Sequence, residues 1–361
     1  MTALTAHSSA GGGTYRLLAE LPVAIETYTL QALMQPLPGG RERHTTTIHL
    51  HGGGTEGVGE DATPTEPEQL TFQRVRLALP LAGVWTLESF STHLETLDLF
   101  PTAPPHPSLR TFRRWAFESA ALDLALRQAG RSLANVLGRT PRPVRFVNSL
   151  RLPDPPTIEP IRRRLELRPA LRFKLDPTPE WNDRLIEQIA ATGAVDTLDL
   201  KGQYPPQAPV AQPGDPELYQ RVASAFADAW IEDPALTPAT DNALRPHRDR
   251  ITWDFPIRAI ADIEALPFAP RALNIKPARI GRLQTLLDIY DHCARSGIEM
   301  YGGGMFELGP GREQIQYLAS LFHPDAPNDV APLEYNRPEL SPQAPTSPLT
   351  PTPAATGFRP N

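Results

Sequence analysis

Cysteine is almost missing from this chain: Cys293 stands alone among 361 residues. One thiol excludes an intrachain disulfide framework and suits a reducing cytosol. Long apolar runs are missing too, and no stretch approaches the roughly 20 residues that a membrane-spanning helix needs. Residues 1–13 (MTALTAHSSAGGG) have neither the basic start nor the apolar stretch of a secretory signal, so they read as a flexible polar leader and the expected location is cytoplasmic. Positive charge is in deficit. The formal net charge is −6 and the basic residues are dispersed, which removes the electrostatic footprint expected for nucleic acid or an anionic membrane as partner. Proline is the excess, with 42 residues, and it must be confined largely to loops, strand ends and first helical turns.

Two rhythms follow the leader. Up to about residue 100 the pattern is β-like, with AIETYTLQALM and HTTTIHLHGGGTEGVGE as two strands, the second running into a glycine-rich turn. The stretch 109–138 then reads as helical, with Phe117, Ala121, Leu124 and Ala125 on one face. Together these predict an α+β capping domain over 14–141. From 142 onward short β-rich runs alternate with amphipathic helical segments: RPVRFVNSL, ALRFKLD, VDTLDL, WIEDP, ITWDFP, ALNIKP and IEMYGGGMFE head successive units. Seven or eight such units predict an α/β fold of the (β/α)8 TIM-barrel type over 142–336. Residues 337–361 form a proline-rich C-terminal tail, either disordered or an extended strap packed on the body.

The strand ends carry the chemistry. In NIKP a proline follows the lysine at once, so the strand stops at Lys276 and leaves it at the carboxyl end. Counting by twos along the other strands delivers Lys174, Asp199, Glu232, Asp254 and, in MFELGP, Glu307. In a barrel these ends gather at one mouth. Three converging carboxylates would repel one another without a cation, so Asp199, Glu232 and Asp254 make sense as oxygen ligands of one hard divalent ion, magnesium in the first place and manganese in the second. Lys174 and Lys276 would then face each other across it as proton-transfer groups. Blander readings stand beside these. The carboxylates could be helix caps or solvated loop groups, the lysines could neutralise them in a structural ion network, and Glu307 could cap the helix that follows it. HGGG (51–54) reads as a hairpin turn, and Gly302–Gly304 as a close backbone approach at the mouth.

The order Lys174, Asp199, Glu232, Asp254, Lys276, spaced by roughly one β/α unit, resembles the enolase superfamily. Within it the likeness is to the muconate cycloisomerase-like branch, which includes o-succinylbenzoate synthases and dipeptide epimerases and is related to mandelate racemase. GVGED (57–61) is similar to that family's cap hairpin, FESAALDLALRQAGRSL to its helix leading into the barrel, and NIKPARIG and GGGMFELGPGR to its sixth and seventh strand ends. The resemblance implies a magnesium-dependent lyase or isomerase. Such an enzyme abstracts the proton α to a substrate carboxylate through a metal-stabilised enediolate, as in dehydration, racemisation, epimerisation or cycloisomerisation.

This chain departs from the family pattern at three places, one of them TWDFP in the fifth strand, which keeps Asp254 and drops the glutamate that commonly follows it. Arg172 stands where the branch has a first lysine before Lys174, and Lys201 stands where it has an asparagine after Asp199. Both are expected to contact substrate, with Glu307, and Arg41 and Arg43 in the cap hint at an anionic one. The partner is therefore a small carboxylate; the alternative is a non-catalytic enolase-like barrel that binds a metal or metabolite. A homo-oligomer is compatible with the sequence, which does not specify the oligomeric state.

Overall fold

The computed structural model describes residues 13–206 and 208–359, so the leader expected over 1–13 lies, apart from Gly13, outside the described residues. After β1 (Pro22–Ile25), the strands β2 (Thr27–Leu37), β3 (Arg41–Gly52) and β4 (Thr55–Asp61) form an antiparallel meander, and β5 (Gly83–Thr86) returns to pair with β1. HGGG makes the tight β3–β4 turn, as its composition predicts. The helix Leu109–Gln128 lies directly on β4. That approach is open only to glycine, because a Cβ at Gly57 or Gly59 would come within 2.3 Å of the helix backbone.

The helix is buried on nearly every side, Arg113 included. Its guanidinium donates to Asp61 at 2.8 Å and sits 3.8 Å from the rings of both Phe72 and Phe100, so the buried charge is paired and stacked. The helical pattern of 109–138 is not one helix. The chain turns through Gly130 at φ 63, a left-handed value, and restarts as Leu133–Leu137 with Ser132 accepting from the Asn135 amide.

The second half is a parallel sheet of seven short strands in sequence order. They are β6 (Asn148–Leu150), β7 (Phe173–Leu175), β8 (Val195–Asp199), β9 (Trp230–Glu232), β10 (Ile251–Trp253), β11 (Ala272–Ile275) and β12 (Glu299–Gly302). Helices intervene, among them Asp183–Ala190, Pro216–Ala225, Leu283–Ser296 and Pro310–Phe322, and Pro160, Pro216, Pro238, Pro277 and Pro310 fall in first turns, as the proline excess requires.

In place of an eighth strand there are two residues. Asn328 bridges to Phe146 and Asp329 to Gly303, so this pair touches both edges of the sheet. Pro327 and Pro332 bracket the segment and cannot donate to a longer ladder. The bridge is secured from the side: Asn328 Oδ1 accepts from the Gly302 amide at 2.7 Å and from His323 at 2.6 Å, and its Nδ2 donates to three carbonyls.

Of the two expectations for the tail, the strap holds. Leu349 pairs with Val144 and Gly357 with Ser132. Phe358 is fully buried between Trp115 and Tyr317, its amide donating to Asp123 at 2.6 Å, and Arg359 lies 3.3 Å from the same carboxylate. The last described residues thus fasten the Leu109–Gln128 helix to Pro310–Phe322.

Candidate active site

Five successive β/α units, those of β7 to β11, each bring one charged side chain to the same place. Asp199 and Glu232 end β8 and β9, and Asp254 follows β10; all three are buried, and one carboxylate oxygen from each lies within 4.8 Å of the others. Lys174, central in β7, places Nζ 3.0 Å from Asp199 Oδ2, hydrogen-bonds Glu232 Oε1 and lies 3.5 Å from Asp329. Lys276, past the end of β11, approaches from across the sheet, with Nζ 2.9 Å from Asp254 Oδ2. The two lysines therefore flank the carboxylates from strands that have β8, β9 and β10 between them.

The electrostatics follow from burial. Desolvation pushes the Glu232 carboxyl up to about 8, and repulsion from Asp199 and Asp254 adds to it against the pull of Lys174. Asp233 is raised to about 7 by burial and by Asp254. For Asp199 burial acts upward too, but the Lys174 and Lys201 ammonium groups outweigh it and hold it far below the usual range; Arg279 and Lys276 likewise bring Asp254 to about 2. Burial would lower both lysines, yet the facing carboxylates win and raise them. Five carboxylates (Asp176, Asp199, Glu232, Asp254 and Asp329) lie within 4 Å of four cations (Lys174, Lys201, Lys276 and Arg279), and with Glu232 held near 8 the cluster is close to charge balance at neutral pH.

Lys276 and Arg279 each stand 2.9 Å from an Asp254 oxygen, but neither contact has hydrogen-bond geometry, so both buried oxygens lack a hydrogen-bond donor. Buried carboxylate oxygens without hydrogen bonds, converging in an oxygen-only donor set, fit a hard divalent cation.

The other expected residues divide. Lys201 is at the cluster, hydrogen-bonded to Asp199 Oδ2 and 3.7 Å from Asp176. Arg172 is not. It precedes β7, at the amino end away from the mouth, where Asp196 accepts from its Nε at 2.8 Å and the Gly193 carbonyl takes a further hydrogen bond; the expected substrate contact is withdrawn. Glu307 lies beyond the end of β12, which stops at Gly302, and accepts from the Met305 amide at 2.9 Å. It does not cap Pro310–Phe322. Glu60 of β4 does, accepting from the amides of Leu308, Gly309 and Gly311. Arg43, read as a substrate hint, is buried and donates to the carbonyls of Ala62, Thr63, Met305 and Phe306, so it rivets the first half to the loop after β12. A Cβ at Gly303 would lie 2.5 Å from Asn274 and 2.6 Å from Lys276, the close approach expected of the glycine run.

Sequence reasoning missed Tyr301, Arg279 and Asp233. Tyr301 donates to Glu232 Oε2 at 2.6 Å, and Asp233 accepts from the amides of Asp254 and Phe255. Arg279 was findable: it stands three residues after Lys276 on the single turn Pro277–Ile280, which returns its side chain to the same carboxylate. Tyr301 was hidden because the glycine run placed the strand end too late.

Comparison with known proteins follows the geometry. The family described as "Domain of unknown function (DUF8230) C-terminal domain" matches residues 140–337, and its N-terminal counterpart matches 16–136. The chain is 28% identical over 309 residues to the N-succinylamino acid racemase of Thermus thermophilus, covering 80% of this chain and 79% of that protein. It is 29% identical over 224 residues to the o-succinylbenzoate synthase of Geobacillus kaustophilus, covering 60% and 58%. Among solved structures it is similar to an enolase-superfamily member from Listeria innocua, with a TM-score of 0.64, 20% identity and 86% of each chain covered. It is similar also to the dipeptide epimerase of Methylococcus capsulatus complexed with a Mg ion, with a TM-score of 0.59, 21% identity and 79% and 83% covered.

Proposed function

We propose a function from one established premise: the chain belongs to the DUF8230 family, within the enolase superfamily. It is a divalent-metal-dependent enzyme that removes the proton α to the carboxylate of a small-molecule substrate. The observation that carries this reading is the pair of opposed lysines flanking three buried carboxylates that each bring an oxygen within 4.8 Å of the others. A barrel that only bound a metal or metabolite would have no use for both lysines.

Asp199, Glu232 and Asp254 would hold the ion, magnesium by preference, since a Mg ion accompanies one similar structure. When bound, the ion supplies positive charge to the substrate carboxylate and lowers the cost of the negative charge that develops as the α-proton leaves. Lys174 would take the proton at Nζ, since an ion holding Asp199 and Glu232 would remove the pull that keeps its ammonium charged; with Arg172 held elsewhere, no second basic group stands on its strand. Lys276 faces it from the other side and either delivers a proton there, as a racemase, epimerase or cycloisomerase requires, or stays charged, as an o-succinylbenzoate synthase-like lyase requires. Burial of both amines excludes bulk water from the transfer.

The architecture supports the same reading. We take 14–141 as the cap and 142–336 as a (β/α)8 barrel whose eighth strand is reduced to Asn328–Asp329, and the matches to 16–136 and 140–337 agree with that division. No helix among the described residues is long and apolar enough to cross a membrane, and the lone buried thiol favours the cytoplasm.

The test is α-proton exchange followed by NMR in deuterated water with magnesium, over a panel of N-succinylamino acids, dipeptides and other carboxylic acids. Exchange with some member, lost when Lys174→Ala and Lys276→Ala are combined, is expected. Exchange that persists in that double variant, or a panel without any exchange, would overturn the reading.

A further inference from the structure

Lys201 stands at the cluster without a role in the reaction. It follows Asp199 by two positions and has a left-handed backbone at φ 52, a strained conformation for a residue that carries a side chain. The turn is pinned, since the Lys201 amide donates to Asp199 Oδ1 at 3.2 Å and its carbonyl accepts from the Gln212 amide at 3.3 Å. Folded back in this way, the ammonium reaches Asp199 Oδ2, the same oxygen that Lys174 approaches at 3.0 Å. Two ammonium groups thus cover one carboxylate of the metal triad. An ion entering that triad has to displace at least one of them.

A second acceptor stands ready. Asp176 Oδ1 lies 3.7 Å from Lys201 Nζ, beyond hydrogen-bond reach, and is a buried carboxylate oxygen with no hydrogen-bond partner. A shift of about 1 Å at the end of a flexible four-carbon stem would close that gap and satisfy an oxygen that otherwise lacks a hydrogen bond. Lys174 has Asp329 at 3.5 Å as a second neighbour, but as the proton-transfer group it has to stay at the substrate.

We infer that Lys201 is a displaceable internal counter-ion: it sits on Asp199 while the triad holds no metal and moves to Asp176 when a divalent cation takes Asp199. The inference rests on the reading of Asp199, Glu232 and Asp254 as metal ligands and deepens it by adding a regulator of affinity. Lys201 and Asp176 form a two-position device that keeps the buried charge balanced in both states and trades some metal affinity for that balance.

Magnesium affinity of the full chain, measured by calorimetry and by the magnesium-induced rise in melting temperature, tests this without recourse to turnover. In Lys201→Met the competitor is gone, and binding should tighten by about tenfold or more. In Asp176→Asn the lysine loses its second seat, and binding should weaken by about tenfold. Combined with Lys201→Met, Asp176→Asn should have much less effect, because there is no lysine to receive. Lys201→Asn guards against a folding defect of the methionine variant and should also bind more tightly than wild type. Unchanged or weaker binding in both Lys201 variants would overturn the inference, as would an Asp176→Asn effect of equal size in both backgrounds. If wild type and Glu232→Gln respond to magnesium alike, the triad reading itself falls, which is distinct from a wild type that binds normally while the Lys201 variants do not differ from it.

Discussion

His323 offers a stability test whose size can be worked out in advance. Its ring is buried where Pro310–Phe322 meets the Asn328 bridge, with Tyr290 at one nitrogen and Asn328 at the other. Because Asn328 spends its Nδ2 on three carbonyls, its Oδ1 faces the ring and accepts, so Nδ1 carries the hydrogen and Nε2 is left bare. Protonating Nε2 would place a charge in an apolar core; burial lowers the His323 pKa to about 4, against the smaller pull of the Asn328 hydrogen bond. The unfolded chain titrates near 6.5. A depressed folded value means that the stability is fully present above about 6.5 and is lost as pH falls towards 4. The drop from near 6.5 to about 4 is worth about 3 kcal/mol, most of it lost by pH 4.5.

The perturbation is His323→Gln, which removes the titration and keeps an amide donor. Carboxylates also titrate in this window, so the quantity to follow is the difference in urea-unfolding free energy between wild type and variant, in EDTA, from pH 7.5 to 4.5. Wild type should lose about 2–3 kcal/mol more than the variant over that range. A difference constant to within about 0.5 kcal/mol would refute the reasoning.

Three further outcomes are expected. Glu232→Gln should weaken magnesium binding by about 100-fold or more and abolish the magnesium-induced rise in melting temperature; an undiminished rise would remove Glu232 from the ligand set. Phe358→Ala should cost about 3–5 kcal/mol of unfolding free energy, because the ring fills a closed seat between Trp115 and Tyr317, and a loss below about 1 kcal/mol would show the strap to be dispensable. Lys276→Arg keeps the charge but is a very poor acid or base, so retained turnover points to the lyase and lost turnover with one-sided exchange to the isomerase, whereas full activity in Lys276→Ala would defeat both.

What the sequence displayed is what local spacing controls. One chemically telling residue per β/α unit, at the end of a short strand, made the ring of Lys174, Asp199, Glu232, Asp254 and Lys276 countable, and the structure brings those five together. What it concealed depends on contacts between distant segments. Arg172 counts onto the face of Lys174 only if the strand reaches it, yet β7 starts one residue later and Asp196 claims the guanidinium. Nothing near Glu60 announces that it caps a helix some 250 residues downstream, and Arg43 looked like a loop cation until its carbonyl partners at 305 and 306 were seen. The eighth strand dwindled because prolines at 327 and 332 leave no run of amides to pair.

The strap has a consequence for the order in which the protein is made. Synthesis runs from the amino end, so the Leu109–Gln128 helix leaves the ribosome long before residues 357–359, which complete its surroundings. Until they arrive, Trp115 lacks the ring it packs against, and the buried Asp123 lacks two of its donors, the Phe358 amide and the Arg359 guanidinium. The first half therefore waits on residues 357–359 for its final seal, and a nascent chain stalled before residue 349 would present that unfinished seam to chaperones and proteases.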